Sequence, residues 1–168
     1  MDKYKTSVLG QALKKVYHGD ISVSDSLISI GENAFRGCGF TSIVIPDSVT
    51  SIGEGAFMEN SLIRSMNFGE GVKTIGANAL YACQNLGSVY LGGAAEQIGS
   101  GAFTGVPADA EGYRVNPANK AVKADNGLLI HNNTLIAASG NSAGVVAVPS
   151  YVKAIGQYAL SYVGADAV

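Results

Sequence analysis

The sequence has no tryptophan, two cysteines, two histidines and four prolines, and only 14% of its residues are charged. An average globular domain carries roughly 25%. Each scarcity excludes something. His18 and His131 stand far apart in the chain, so a nucleophile paired with a histidine base has no obvious seat. There is no Cys-x-x-Cys and no His-x-x-x-His, so a metal site of ordinary spacing is not expected. Gly69-Glu70-Gly71 runs into Val72, without the Gly-Lys-Ser/Thr signature that cradles phosphate. No catalytic residues, metal ligands or cofactor are therefore expected. The formal net charge is −2 with no run of either sign, which points away from nucleic acid and anionic membranes. No apolar run reaches the 18 or so residues that a spanning helix needs. Met1 is followed directly by Asp2 and Lys3, without the apolar core of a secretory leader. The composition is that of a soluble chain.

What the sequence has in quantity is apolar residues (47%) and glycine (22 residues), and both are ordered by a repeat. The organising stretch is Ser42–Phe57, SIVIPDSVTSIGEGAF. Its apolar pair Ile43 and Ile45 recurs as Ile21 and Val23, Met66 and Phe68, Val89 and Leu91, and Val146 and Val148. Its Ile52–Gly53 step recurs at Ile30–Gly31, Ile75–Gly76, Ile98–Gly99 and Ile155–Gly156, so successive glycines are 22, 23, 23 and then 57 residues apart. A small-then-large pair follows each step, as in Ala34–Phe35, Ala56–Phe57, Ala79–Leu80, Ala102–Phe103 and Ala159–Leu160. A fixed period in this range marks a solenoid. Stacking also explains the composition, since each unit is covered by its neighbours and meets little water.

Within a unit, a short strand such as Ile43-Val44-Ile45 points its first and third residues inward. Pro46 ends that strand where a missing N–H does least harm. Val49 and Ile52 supply a second inward pair, Gly53 suits a sharp turn through positive φ, and Leu62 or Leu86 closes the loop into the next strand. Cys38 and Cys83 hold equivalent places two units apart, with Asn60 between them. Strands advance about 4.8 Å per rung. The two cysteine Cα atoms are then roughly 10 Å apart, beyond the ~7 Å limit for a disulfide, and both thiols should be free and buried. The long interval hides a fifth unit. Tyr113-Arg114-Val115 fits the strand pattern, and the excess holds Gly127–Ile130, then Asn132-Asn133, then Thr134–Ala137. Two apolar runs around an Asn pair read as a β-hairpin. The expectation is six rungs, the fifth with its outer edge replaced by a projecting hairpin. Residues 1–20 read either as an amphipathic helix capping the first rung, with Tyr4, Val8, Leu9, Ala12, Leu13, Val16 and Tyr17 on one face, or as the remnant of an earlier repeat.

The pattern from Ile43 through Ile45-Pro46, Val49, Ile52-Gly53 and Ala56-Phe57 to Leu62 resembles the BspA-type, or Treponema-type, leucine-rich repeat. The segment Asn116-Pro117…Asp125-Asn126-Gly127-Leu128-Leu129 with Thr134-Leu135-Ile136 is similar to a hairpin insertion seen in that family. The resemblance covers residues 21–163, and Asn60, Leu80 and Leu160 depart from it. It implies a leucine-rich-repeat solenoid with a parallel concave sheet and little regular helix. It also implies a cell-surface or secreted protein of bacterial type, active in adhesion and not in catalysis. The division expected is an N-terminal cap or repeat remnant at 1–20, then the array at 21–168 with its insertion near 116–140, truncated at the C-terminus.

Candidate binding residues are those that alternation turns outward on the concave face. The middle strand positions run Ser22, Val44, Asn67, Tyr90, Arg114 and Ala147, with Ser42, Ser65, Ser88 and Gly112 beside them. Val44, Asn67, Tyr90 and Arg114 are the favoured set, because tyrosine and arginine combine large area with directed donors. The Arg114 guanidinium is expected to lie over the Tyr90 ring or to hold a partner's carboxylate. Glu32 and Glu54 read as a solvated pair on an outer turn, and His131 as a solvated imidazole. The expected function is a protein-interaction or adhesion module whose partner is a protein on a host or another cell. The rival reading is a passive spacer carrying another domain, with an enzyme a distant third. An open last rung is expected to invite self-association through its edge.

Overall fold

The computed structural model describes residues 20–107, 112–139 and 146–161. It contains thirteen short strands and no helix among the described residues. The expectations for residues 1–19 lie outside the described residues. Units 1 to 4 each contribute two strands: β1 (Asp20–Ser22) and β2 (Ser29–Ile30), β3 (Ser42–Val44) and β4 (Ser51–Ile52), β5 (Ser65–Asn67) and β6 (Thr74–Ile75), β7 (Ser88–Leu91) and β8 (Gln97–Ile98). Unit 5 holds β9 (Tyr113–Val115), β10 (Val122–Asp125), β11 (Leu128–His131) and β12 (Thr134–Ala138), and unit 6 holds β13 (Ala154–Ile155).

Strands this short cannot stand alone. They persist because every ladder runs along the stack. One parallel sheet has the order β1-β3-β5-β7-β9 and a second β2-β4-β6-β8. The concave sheet thus has five strands and not the six expected. Val146–Val148 has the right apolar alternation, yet it forms no strand, and Val148 is 39% exposed where its counterpart Ile45 is 1%. Pattern alone does not make a strand without a paired neighbour.

The inward residues form one continuous core. Ile43, Met66 and Val89 stack in register and are buried, as are Val49, Ile52, Val72 and Ile75. The small-then-large pair closes the outer side. Phe35 and Phe57 stack at 5.4 Å with an interplanar angle of 5°, and Phe40 meets both rings edge-on. Loop closure falls to Ile63 and Leu86, both fully buried, and not to Leu62, which is 39% exposed. The cause is register: Ile63-Arg64-Ser65-Met66 aligns with Leu86-Gly87-Ser88-Val89.

The repeat glycines are required for a reason other than the one expected. Gly53, Gly76 and Gly99 do not have positive φ. A Cβ on Gly76 would lie 2.5 Å from the backbone N of Glu54, and one on Gly99 2.3 Å from that of Ala77. These glycines are where consecutive rungs touch. Positive φ falls two residues later, at Asn33, Gly55, Asn78, Gly101 and Tyr158.

Cys38 and Cys83 are free and buried. Asn60 sits between them, donating from Nδ2 to Phe35 O at 2.8 Å and to Phe57 O at 2.6 Å. Cys83 Sγ also bonds Phe57 O. Burial pushes the Cys83 thiol up to about 12.

The insertion is a hairpin, as read, but it does not project. β10, β11 and β12 form an antiparallel meander with turns at Asn126-Gly127 and Asn132-Asn133, and all four turn residues have positive φ, which type I′ turns demand. Leu129 joins the main core, while Leu128, Ile130 and Leu135 build a second one with Ala138 and Ala159. β12 then pairs in parallel with β13, so the insertion carries the stack forward to the last unit.

Candidate binding face

Parallel in-register pairing converts equivalent positions into columns. Val44 pairs with Asn67, Asn67 with Tyr90 and Tyr90 with Arg114. The four expected residues therefore form one file across β3, β5, β7 and β9, and Ser22 takes the next register place on β1. Ser42, Ser65 and Ser88 form the adjoining file. From β3 to β9 the two files line a shallow groove of about 300 Å³. Ala147 of the expected column lies outside the sheet.

The side chains in the file differ in freedom. Val44 is 59% exposed and offers bare apolar surface. Asn67 is engaged locally, its Oδ1 accepting the Gly69 N–H at 2.8 Å. Tyr90 turns towards the corner and donates its hydroxyl to Glu70 Oε1 at 2.5 Å. Arg114 does not cover the Tyr90 ring; its Nη2 donates to Ser88 Oγ at 3.1 Å. Among the described residues the cation–π contact is instead Lys123 over Tyr151. Arg114 has no carboxylate partner among the described residues: the ion pair found there joins Arg36 and Glu59.

Glu70, which in the sequence stood out only as the middle of Gly69-Glu70-Gly71, organises the rim. Its Oε2 accepts the Gly93 N–H at 2.7 Å and Asn116 Nδ2 at 3.0 Å. One rung earlier, Asp47 Oδ1 accepts the Glu70 N–H at 2.7 Å. An acid in one unit thus caps a corner amide in the next. The bonds from Tyr90, Gly93 and Asn116 hold the Glu70 carboxyl below the usual carboxylate range, and the same contact raises the Tyr90 phenol. The legible signal was an acid three residues past the strand in consecutive units, Asp47 and Glu70.

Other expected residues are dispersed. Glu32 and Glu54 lie exposed on successive outer turns, and the Glu54 carbonyl accepts the Asn33 N–H. His131 is not a solvated imidazole: it is half-buried, with Nε2 2.9 Å from Glu96 O, and it ties the hairpin to unit 4. His18 lies outside the described residues. Among the described residues no group of three or more His, Cys, Asp or Glu could hold a metal, and no helix is long and apolar enough to cross a membrane.

Stacked 22–24-residue coils with a parallel sheet on one face and outer turns on the other define a leucine-rich-repeat solenoid. Residues 9–109 match the BspA type leucine rich repeat region in six copies. The chain belongs to that family. Its fold is similar to that of the pneumococcal vaccine antigen PcpA, with a TM-score of 0.68 at 20% identity over 79% of this chain and 34% of that one. It is also similar to a leucine-rich repeat protein from Eubacterium ventriosum, with a TM-score of 0.61 at 22% identity over 85% of this chain and 45% of that one. The chain thus spans less than half the length of either structure. No curated protein matches it. The matched family and the Eubacterium ventriosum neighbour are both leucine-rich repeats.

Proposed function

We propose that the array is a non-catalytic adhesion or protein-binding module of a surface or secreted protein, and that its partner docks on the Val44–Asn67–Tyr90–Arg114 file. The observation that carries this reading is the register, which sets an exposed valine, a braced tyrosine and an arginine without a carboxylate partner among the described residues in one line across the groove. Interfaces of stable complexes concentrate binding energy in such tyrosine and arginine anchors. Glu70 fixes the Tyr90 ring before any partner arrives, so less side-chain freedom is lost on binding. The Arg114 guanidinium, which spends one Nη2 donor on Ser88, keeps further donors for a partner's carboxylate. A surface or secreted setting is supported by the family and by likeness to a vaccine antigen.

The test compares immobilised wild-type array with the double variant Tyr90→Ala/Arg114→Ala in capture of proteins from a host-cell surface extract. The expected result is a ligand bound by wild type and weakened about 30-fold or more in the variant, equivalent to about 2 kcal/mol. The melting temperature should stay nearly constant, because neither side chain lies in the core. Equal capture by both proteins overturns the placement.

A further inference from the structure

The outer turns of units 1 to 4 are laced together by backbone bonds. Asn78, Leu80 and Ala82 of the third turn donate to Ser100, Ala102 and Thr104 of the fourth. The lacing then stops. In unit 5 the outer turn is replaced by β12, so the fourth turn faces the last one across an interruption in the repeat. The equivalent donors Gly101, Phe103 and Gly105 have no backbone acceptor among the described residues. One side-chain bond, Ser100 Oγ to Gln157 Oε1 at 3.0 Å, spans the interruption.

A notch of about 610 Å³ opens at that place. Tyr81 and Tyr158 flank it, 39% and 57% exposed, and no ring contact joins them among the described residues. Asn78, Ser100, Thr104 and Gln157 supply amides and hydroxyls, and no Asp, Glu, Lys, Arg or His is among the described residues that line it. Tyr158 is also out of pattern. Its position has positive φ in units 1 to 4 and 6 and is filled elsewhere by Asn33, Gly55, Asn78 and Gly101; Tyr158 adopts φ 62°. A bulky residue there is strained, and strain of this sort persists where surrounding structure holds it and gathers at ligand sites. Nothing in the core requires the ring, since it is exposed.

We propose that the notch between Tyr81 and Tyr158 is a binding site for a neutral saccharide. Aromatic faces are apolar bodies on which the C–H face of a sugar ring can rest. The amides and hydroxyls around them both donate and accept, which matches ligand hydroxyl groups that do the same. The amides of Gly101 and Phe103, without a backbone acceptor among the described residues, border the adjoining crevice, which shares Ser100 and Gln157 with the notch, and offer further donors to sugar oxygens. The volume falls in the range of small-ligand sites, about 300–1,000 Å³. The uncharged lining disfavours anionic ligands, and among the described residues that line it there is no cationic side chain to hold a phosphate.

The chain lacks tryptophan and has eight tyrosines, so tyrosine emission is unmasked and the part of any change that belongs to Tyr81 and Tyr158 is the part their variants remove. The protein is titrated with maltotriose, cellotriose and triacetylchitotriose, with calorimetry in parallel. At least one should saturate with a Kd of about 1 mM or tighter, unchanged between low and high salt because the ligand carries no charge. Tyr158→Asn restores the residue type of the other units, so it should fold and melt higher than wild type while weakening binding about tenfold or more. Tyr81→Ala should do the same to binding. The proposal is overturned if none of the three sugars binds, if both variants bind as wild type does, or if a proline-rich peptide saturates the site and the sugars do not.

Discussion

At Gly76 the repeat leaves no room for even a methyl group. An added Cβ would meet the backbone N of Glu54 at 2.5 Å and the carbonyl carbon of Gly53 at 2.6 Å, and neither atom can move without shifting a whole rung. Gly76→Ala should therefore lower stability by about 1–3 kcal/mol, as overpacking does. Gly93→Ala is the control, since its nearest neighbour is the Glu70 carboxylate at 3.5 Å; it should stay within about 1 kcal/mol of wild type. Chemical denaturation of the two variants measures both, and equal losses would defeat the argument. The cysteines are tested in the same way at single residues. Burial lifts the Cys83 thiol to about 12, so only about one molecule in 10,000 carries the reactive thiolate at pH 8. Thiol titration should count two groups after denaturation and almost none before it, whereas fast labelling of the folded protein would refute the buried ladder.

The corners and turns are the elements where side chains replace ladder bonds. Asp47 and Glu70 each reach one unit forward to cap a backbone amide, which is how an edge without strand pairing stays in register. Because the folded Glu70 carboxyl lies below its ordinary 4.5, its contribution is present above that pH and is lost as pH falls through the lower folded value. Glu70 is exposed, so water screens the effect on total stability. The Gly93 amide should report it locally: its chemical shift should titrate with a midpoint below 4.5, and Glu70→Gln should abolish that step. A midpoint at or above 4.5 would show that the three bonds do not favour the charged form. The hairpin is a different kind of element. Its asparagine and glycine turns fold it locally, while His131 and the buried Leu128–Ile130 run bind it to the array.

Over the whole molecule, burial depends on having a unit on either side. Ile155 and Leu160 occupy the places of Ile52 and Phe57, yet they are 57% and 38% exposed where those are 2% and 0%. β13 is a two-residue edge strand with both residues exposed. Exposed strand edges with apolar side chains recruit other strands. Sedimentation of this chain should show concentration-dependent association, and Ile155→Lys should suppress it without changing the concave face. A monomer at all concentrations, in wild type and variant alike, would mean that this edge is adequately shielded. The same dependence on neighbours explains why the fold is shared with proteins only 20–22% identical: the inward positions are constrained by packing, and the outward ones are not.

The sequence by itself determined the period, most inward residues of the first four units, the free cysteines, the Asn132-Asn133 turn and the file of outward residues. All of these follow from rules that act along the chain: alternation in a strand, a fixed repeat and the φ tolerance of asparagine. It misread Gly53, because positive φ is a property of one residue whereas the close approach of two rungs exists only after stacking. It took Leu62 for Ile63, because one place of register is invisible until the strands pair. It could not see Arg114 settle on Ser88, Glu70 reach Tyr90 and Asn116, or the hairpin fold inward. Those contacts join residues 20 to 46 positions apart, and only the tertiary structure, by setting the rungs side by side, decides which side chains are near enough to choose one another.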